Sequence, residues 1–253
     1  MKTSYKENLK VFGCFIGFYI LDYFLFRYAI SLVNTRTPTA CVAAVFMMVT
    51  FAVLVFLLYL RMFGKETFRV RDISRKNWLR MFLLCVSQFF IVSLLYGYPV
   101  WNYFLFSPDS ITAEEYFLPG HVIFFLSGVF CIPVVQEVLL RGFLQKQLSR
   151  YLAPWLSVSI VTLVSIIYAG ITPNILPVLC TGIFGGIIYH KTDKLILCII
   201  FQGLYSVMFG ITRPSVKYVD VWLITFFILA AVLAVYAIRG FMKEKALPVK
   251  TNP

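Results

Sequence analysis

The chain reads as an all-α, polytopic integral membrane protein with about eight transmembrane helices. Three observations carry this reading. The 253 residues are 60% hydrophobic and only 13% charged, which is more apolar surface than a soluble domain of this size needs. Apolar runs of spanning length, about 20 residues, recur at 11–33, 40–62, 80–104, 120–140, 153–171, 175–190, 194–211 and 218–239. Basic residues gather in alternate connections, the pattern of a multi-pass chain.

The net charge of +12 is therefore spread over membrane loops. It is not a footprint for nucleic acid, and no nucleic-acid partner is expected. Lys2, Lys6 and Lys10 precede the first run, and Arg61, Lys65, Arg69, Arg71, Arg75, Lys76 and Arg80 lie between the second and third. Arg141, Lys146 and Arg150 follow the fourth run, Lys191 and Lys194 separate the sixth from the seventh, and Arg239, Lys243, Lys245 and Lys250 close the chain. The connection 107–119 carries only acids, Asp109, Glu114 and Glu115. With an even number of spans, this predicts both termini on the cytoplasmic side of a cell membrane. The lipid bilayer is the first expected partner.

Lysines precede the first run as in a signal peptide. The run is long and lacks a small-residue cleavage site, which predicts an uncleaved span. The six cysteines fall in apolar runs without a Cys-x-x-Cys pair and read as buried free thiols. Residues 63–79 mix basic residues with Phe68, Val70, Ile73, Trp78 and Leu79. An interfacial helix with its cations toward headgroups and a solvated loop both fit this stretch. No fixed-period repeat is present, so 1–253 reads as one membrane domain, with 240–253 a disordered cytoplasmic tail.

Ionisable residues inside spans are costly and mark function or pairing. Asp22 and Arg27 lie five apart in the first run, an offset that suits partners elsewhere better than each other. In the fourth run, "PVVQEVLLRGFL" brings together Pro133, Gln136, Glu137 and Arg141. The proline removes a backbone hydrogen bond and predicts a bend. Glu137 precedes Arg141 by four residues, the favourable order for an intrahelical ion pair, and pairing offsets part of the desolvation of each charge. Gln136 points about 100° away from Glu137 on a helix wheel, so its role is separable from theirs. Tyr168 and Thr172 share one face of the fifth run, and Gln202 and Ser206 share one face of the seventh. Gly182 and Gly186 in the sixth have the spacing that lets helices approach closely.

Gln136 and Thr172 each stand 18 residues from a turn near 154. That is roughly 27 Å along each helix, so antiparallel neighbours would hold them at similar depth. Gln202 is about 15 Å past the turn near 192, and spacing alone does not bring it level.

These residues, in this order, resemble the type II CAAX-processing endopeptidase and bacteriocin-processing family, also called CPBP or Abi. The family's members are intramembrane glutamic proteases with an eight-helix core. Its first motif, Glu-Glu-x-x-x-Arg followed by Gly, reads here as Gln136-Glu137-Val138-Leu139-Leu140-Arg141-Gly142. Its second, Phe-x-x-x-His, reads as Tyr168 to Thr172, and its third, His-x-x-x-Asn or Asp, reads as Gln202 to Ser206. The glycine-rich stretch between the second and third also fits. The resemblance covers about 120–210 and implies a CAAX-protease-like core there.

The departures bear on activity. The resemblance makes the first glutamate of motif one the base that activates water, and Gln136 stands in its place. An amide is no general base at neutral pH. Thr172 replaces the histidine that the family uses to assist that base. Gln202 and Ser206 replace the residues that stabilise the oxyanion, and both still donate hydrogen bonds. Glu137 and Arg141 remain. The only histidines, His121 and His190, occupy no motif position, so neither a metal nor another cofactor is expected.

The resemblance, with these losses, implies a pseudoprotease without peptidase activity that binds a membrane protein or hydrophobic peptide, in a bacteriocin-immunity or regulatory role. Two alternatives stay open. One is an active intramembrane endopeptidase with Glu137 as base and Gln202, Ser206 or Tyr168 at the oxyanion. The other is a membrane protein binding a small molecule or lipid, with Asp22, Arg27 and Glu137 lining a polar path. No inverted repeat favours a secondary transporter. The compact multi-pass chain, without an organellar presequence, suits a bacterial plasma membrane.

Overall fold

The computed structural model describes residues 2–34, 37–97, 129–169, 175–212 and 221–243. Among these, all regular structure is helical. Each expected apolar run holds one helix: α1 (Lys2–Asn34), α2 (Pro38–Phe63), α3 (Arg75–Gly97), α4 (129–148), α5 (Pro154–Ala169), α6 (Ile175–Thr192), α7 (Leu195–Thr212) and α8 (Val221–Lys243). Helices α1 and α3 begin well before their apolar runs. Hydropathy marks the part of a helix that suits lipid, while backbone hydrogen bonding continues through Lys2 to Lys10 and Arg75 to Arg80. The last helix runs to Lys243, past the start of the expected tail. The acidic connection 107–119, His121 and residues 244–253 lie outside the described residues.

Segments Leu9–Ala29, Thr39–Phe63, Ile175–Thr192 and Thr225–Lys243 are long and apolar enough to cross a membrane, and Pro154–Tyr168 and Leu195–Met208 are apolar but shorter. Helix α2 shows the environment most clearly. Cys41, Ala44, Met48, Phe51, Val55 and Tyr59 form its buried stripe, while Val42, Phe46, Val49, Val53 and Leu57 form an exposed one. A helix apolar on both faces is a membrane helix. The chain is an all-α membrane protein.

Of the two readings open for 63–79, the structure favours the loop: residues 64–74 form a mostly exposed connection, and α3 has begun by Arg75. Gly64, at φ 73°, ends α2 with its N–H on the Leu60 carbonyl at 2.9 Å. This left-handed backbone suits glycine. Two 3₁₀ turns follow, Glu66–Phe68 and Val70–Asp72. Ser74 then caps α3, its Oγ accepting from the Asn77 N–H at 3.2 Å. Thr67 and Ile73 are buried, and Val70 and Leu79 are exposed.

The chain divides into two compact units. The first holds α1, α2 and α4. Val11, Phe15 and Ala29 bury one stripe of α1. Ala29 joins Cys41, Ala44 and Met48 in a core against which Phe26, Leu32, Cys131 and Ile132 pack. The second holds the 3₁₀ turns, α3 and α5 to α8. Here Met81, Leu84, Cys85, Gln88 and Val92 form the buried stripe of α3, and Ala230, Ala234, Ala237 and Phe241 that of α8. The alanines permit a close α3–α8 contact, and Phe90 stacks on Phe226 with centroids 5.5 Å apart. Gly182 and Gly186 play the role their spacing predicts. A Cβ on Gly182 would meet Thr162 Cγ2 at 2.6 Å, and one on Gly186 would meet Val158 Cγ1 at 2.7 Å, so α5 and α6 touch at backbone distance. All six cysteines are free; Cys41, Cys85 and Cys198 are buried, and Cys14, Cys131 and Cys180 are half-buried.

Candidate functional site

The first sequence motif sits where α4 changes its winding. Residues 129–137 are α-helical, and Val138–Gln145 form a π-helix. The Lys146 N–H reaches back five residues to the Arg141 carbonyl. Such wide turns are rare and gather at functional sites. All eight residues of this segment are buried, and it packs against α1 and α2.

Glu137 is the last residue before the π-helix. Its Oε2 lies 3.3 Å from Arg141 Nε, with the two side chains 1% and 2% exposed. The expected ion pair is present. It is sealed from solvent, and neither Glu137 oxygen accepts a hydrogen bond among the described residues. Gln136, next in sequence, is half-buried. The acid and the amide therefore occupy different environments, as their helical offset predicts.

Helix α1 brings a further polar pair. Asp22 is half-buried and Arg27 is exposed. Arg27 lies over the Tyr23 ring, 5.0 Å from its centroid. Tyr19, one turn before Asp22, lies within electrostatic range of both Asp22 and Arg141. Asp22 thus belongs to the α1 face turned toward the charged part of α4, while Arg27 turns outward. Past Arg141, Phe143 packs edge-on against Tyr59 and Phe63 of α2, with centroids 5.7 and 5.4 Å apart. The Lys146 ammonium lies over the same two rings, 4.8 Å from Phe63 and 6.0 Å from Tyr59. This aromatic set fixes the end of α4 to α2.

The second and third motifs belong to the other unit. Tyr168, Gln202 and Ser206 are half-buried, and Thr172 lies outside the described residues. Side-chain contacts give their register. Cys198 Sγ lies 3.4 Å from the Gly185 carbonyl, which sets Gln202 level with Thr181 and Ser206 level with Pro177. The glycine contacts pair 182 with 162 and 186 with 158, which sets Tyr168 near residue 176. Ser206 and Tyr168 therefore share a level, and Gln202 lies one turn nearer the α6–α7 connection.

Gln88 is a polar member of this region that the sequence reading passed over. It is fully buried and donates from Nε2 to Thr181 Oγ1 at 2.7 Å and to the Pro177 carbonyl at 3.5 Å. Its amide, Thr181 and Gln202 lie at about one level on three mutually packed helices, α3, α6 and α7. The available signal was a lone glutamine in the middle of an apolar run. No three His, Cys, Asp or Glu side chains converge as a metal site among the described residues.

The stretch holding these motifs matches a known family model. Residues 118–208 match the model of a family described as type II CAAX prenyl endopeptidase Rce1-like. The Rce1-like segment contains all three motif stretches, from Gln136 to Ser206. It takes in the part of α4 carried by the first unit and α5, α6 and most of α7 in the second. Over this segment the chain is similar to the intramembrane-protease family that the match describes. Neither the curated proteins nor the solved structures compared with it give a match.

Proposed function

We propose that this Rce1-like homologue is proteolytically inactive and retains a membrane-embedded peptide or protein partner without cutting it. One observation carries the reading. The position that the family resemblance gives to the catalytic base is Gln136, and the neighbouring carboxylate, Glu137, is sealed and ion-paired with Arg141. An amide cannot take the proton of an attacking water, and a carboxylate sealed from solvent and held by a guanidinium is poorly placed to activate one. The polar layer of the second unit still offers amide and hydroxyl groups, from Gln202 and Ser206, to a peptide's backbone. Both termini would lie in the cytoplasm, and the family resemblance suggests an immunity or regulatory role.

A photo-crosslinking amino acid at position 136, in native membranes, tests this reading. A discrete adduct with one hydrophobic peptide or membrane protein, recovered at full length, is the expected product. Adducts with lipid alone would overturn it in favour of the lipid-binding alternative.

A further inference from the structure

Helix α1 carries an acid on its inward side. Val11, Phe15 and Ala29 are buried, and Phe18, Asp22 and Phe26, half-buried, fall between them at helical spacing. Ile16, Ile20, Phe24, Arg27 and Tyr28 are exposed. An acid on the inward stripe of a membrane helix is retained where it meets a partner.

Two relationships align α1 with α4. Ala29 belongs to the core on which Cys131 and Ile132 pack, and Tyr19 lies within electrostatic range of Arg141. From Ala29 back to Tyr19 is ten residues, as is the step from Cys131 to Arg141. The two helices therefore run antiparallel and in step, and Asp22, seven residues before Ala29, falls level with Val138, between Glu137 and Arg141. Arg27 is exposed, and Lys146 lies over the Phe63 and Tyr59 rings. Arg141 is thus the cation at this depth among the described residues of the unit. Glu137 faces its Nε edge, and a guanidinium has further donors on its two Nη nitrogens. Arg141 and Asp22 each make an interaction besides the Glu137 pair.

We propose that Asp22 is the second carboxylate of Arg141, so that the guanidinium is held between Glu137 on its own helix and Asp22 on α1. Asp22 lies outside the matched segment 118–208, so a residue beyond that segment completes the charge cluster of its first motif. Asp22 is a positioning residue. It fixes Arg141, and through it Glu137, across the α1–α4 contact. Leu9–Ala29 is the least buried of the four long apolar segments, so a polar tie in its inward stripe carries a large share of its attachment. The assignment is independent of the peptide-binding reading.

Thermal unfolding of the full chain in detergent tests it, with Asp22→Asn made in different backgrounds. In the wild type, Asp22→Asn is expected to lower the melting temperature by at least about 2 °C, and Asp22→Glu to lose less. In Arg141→Leu the same change is expected to raise the melting temperature, because a carboxylate that has lost its cation is a cost. Should Arg141→Leu not fold, the Glu137→Leu, Arg141→Leu double variant carries the same comparison. In Arg27→Ala the full loss is expected to persist. An equal drop with and without Arg141 would overturn the proposal, as would no drop in the wild type. A drop that vanishes in Arg27→Ala would assign Asp22 to the cation of its own helix instead and overturn it too.

Discussion

Arg141 Nε lies 3.3 Å from Glu137 Oε2 across the junction between α-helix and π-helix. Both charges are withdrawn from solvent, and the pair offsets part of the desolvation of each. Removing one partner of a buried pair leaves an uncompensated charge and destabilises by about 3–5 kcal/mol, whereas replacing both with apolar residues is often close to neutral. Arg141→Leu is therefore expected to lower stability sharply, and Glu137→Leu with Arg141→Leu to restore most of it. Thermal unfolding in detergent, run as a double-mutant cycle, checks this. Equal damage from the single and the double variant would contradict the bracing role.

The glycine contacts predict a size limit on α6. A methyl at 186 has to displace Val158, whose Cγ1 stands 2.7 Å from the site. Overpacking of this kind costs about 1–3 kcal/mol. Gly186→Ala is expected to lower the melting temperature, and Val158→Ala in the same chain to recover part of the loss.

Gln88 and Thr181 tie α3 to α6. Hydrogen bonds between membrane helices are worth about 0.6 kcal/mol on average and up to about 1.7 kcal/mol. Gln88→Leu and Thr181→Val are expected to show a coupling of that size. A coupling near zero would mean that the contact is incidental.

Asp72 supplies a pH dependence outside the membrane. The Lys194 hydrogen bond, and then its charge, hold the Asp72 carboxyl below its ordinary value of 3.8. A depressed carboxylate contributes its stability in full above the unfolded value and loses it as pH falls through the folded one. The difference in melting temperature between wild type and Asp72→Asn is thus expected to be level from neutral pH to about 5 and to shrink below about 4. The carboxylate is exposed, so the difference is small throughout.

The helices and the charged pair were legible because they rest on local rules. Apolar length marked each span, and a four-residue offset placed Glu137 beside Arg141. The π-helical winding was not legible, since wide turns arise from packing around Val138 to Gln145 rather than from any residue preference. In connection 63–79 a helix and a loop both stayed open, because its apolar residues suggest a helical face, whereas Gly64 and successive 3₁₀ turns break the helix there. Gln88 escaped notice because a single amide in an apolar run has no partner in sequence; Thr181 lies 93 residues away.

The most direct test of the central claim compares partner termini in native membranes for wild type, Gln136→Glu and Glu137→Gln, with mass spectrometry of the captured partner. The account predicts a full-length partner held equally by wild type and Gln136→Glu. A partner with a new terminus in wild type, lost in Glu137→Gln at equal protein abundance, would show that the chain cuts and that Glu137 is its base.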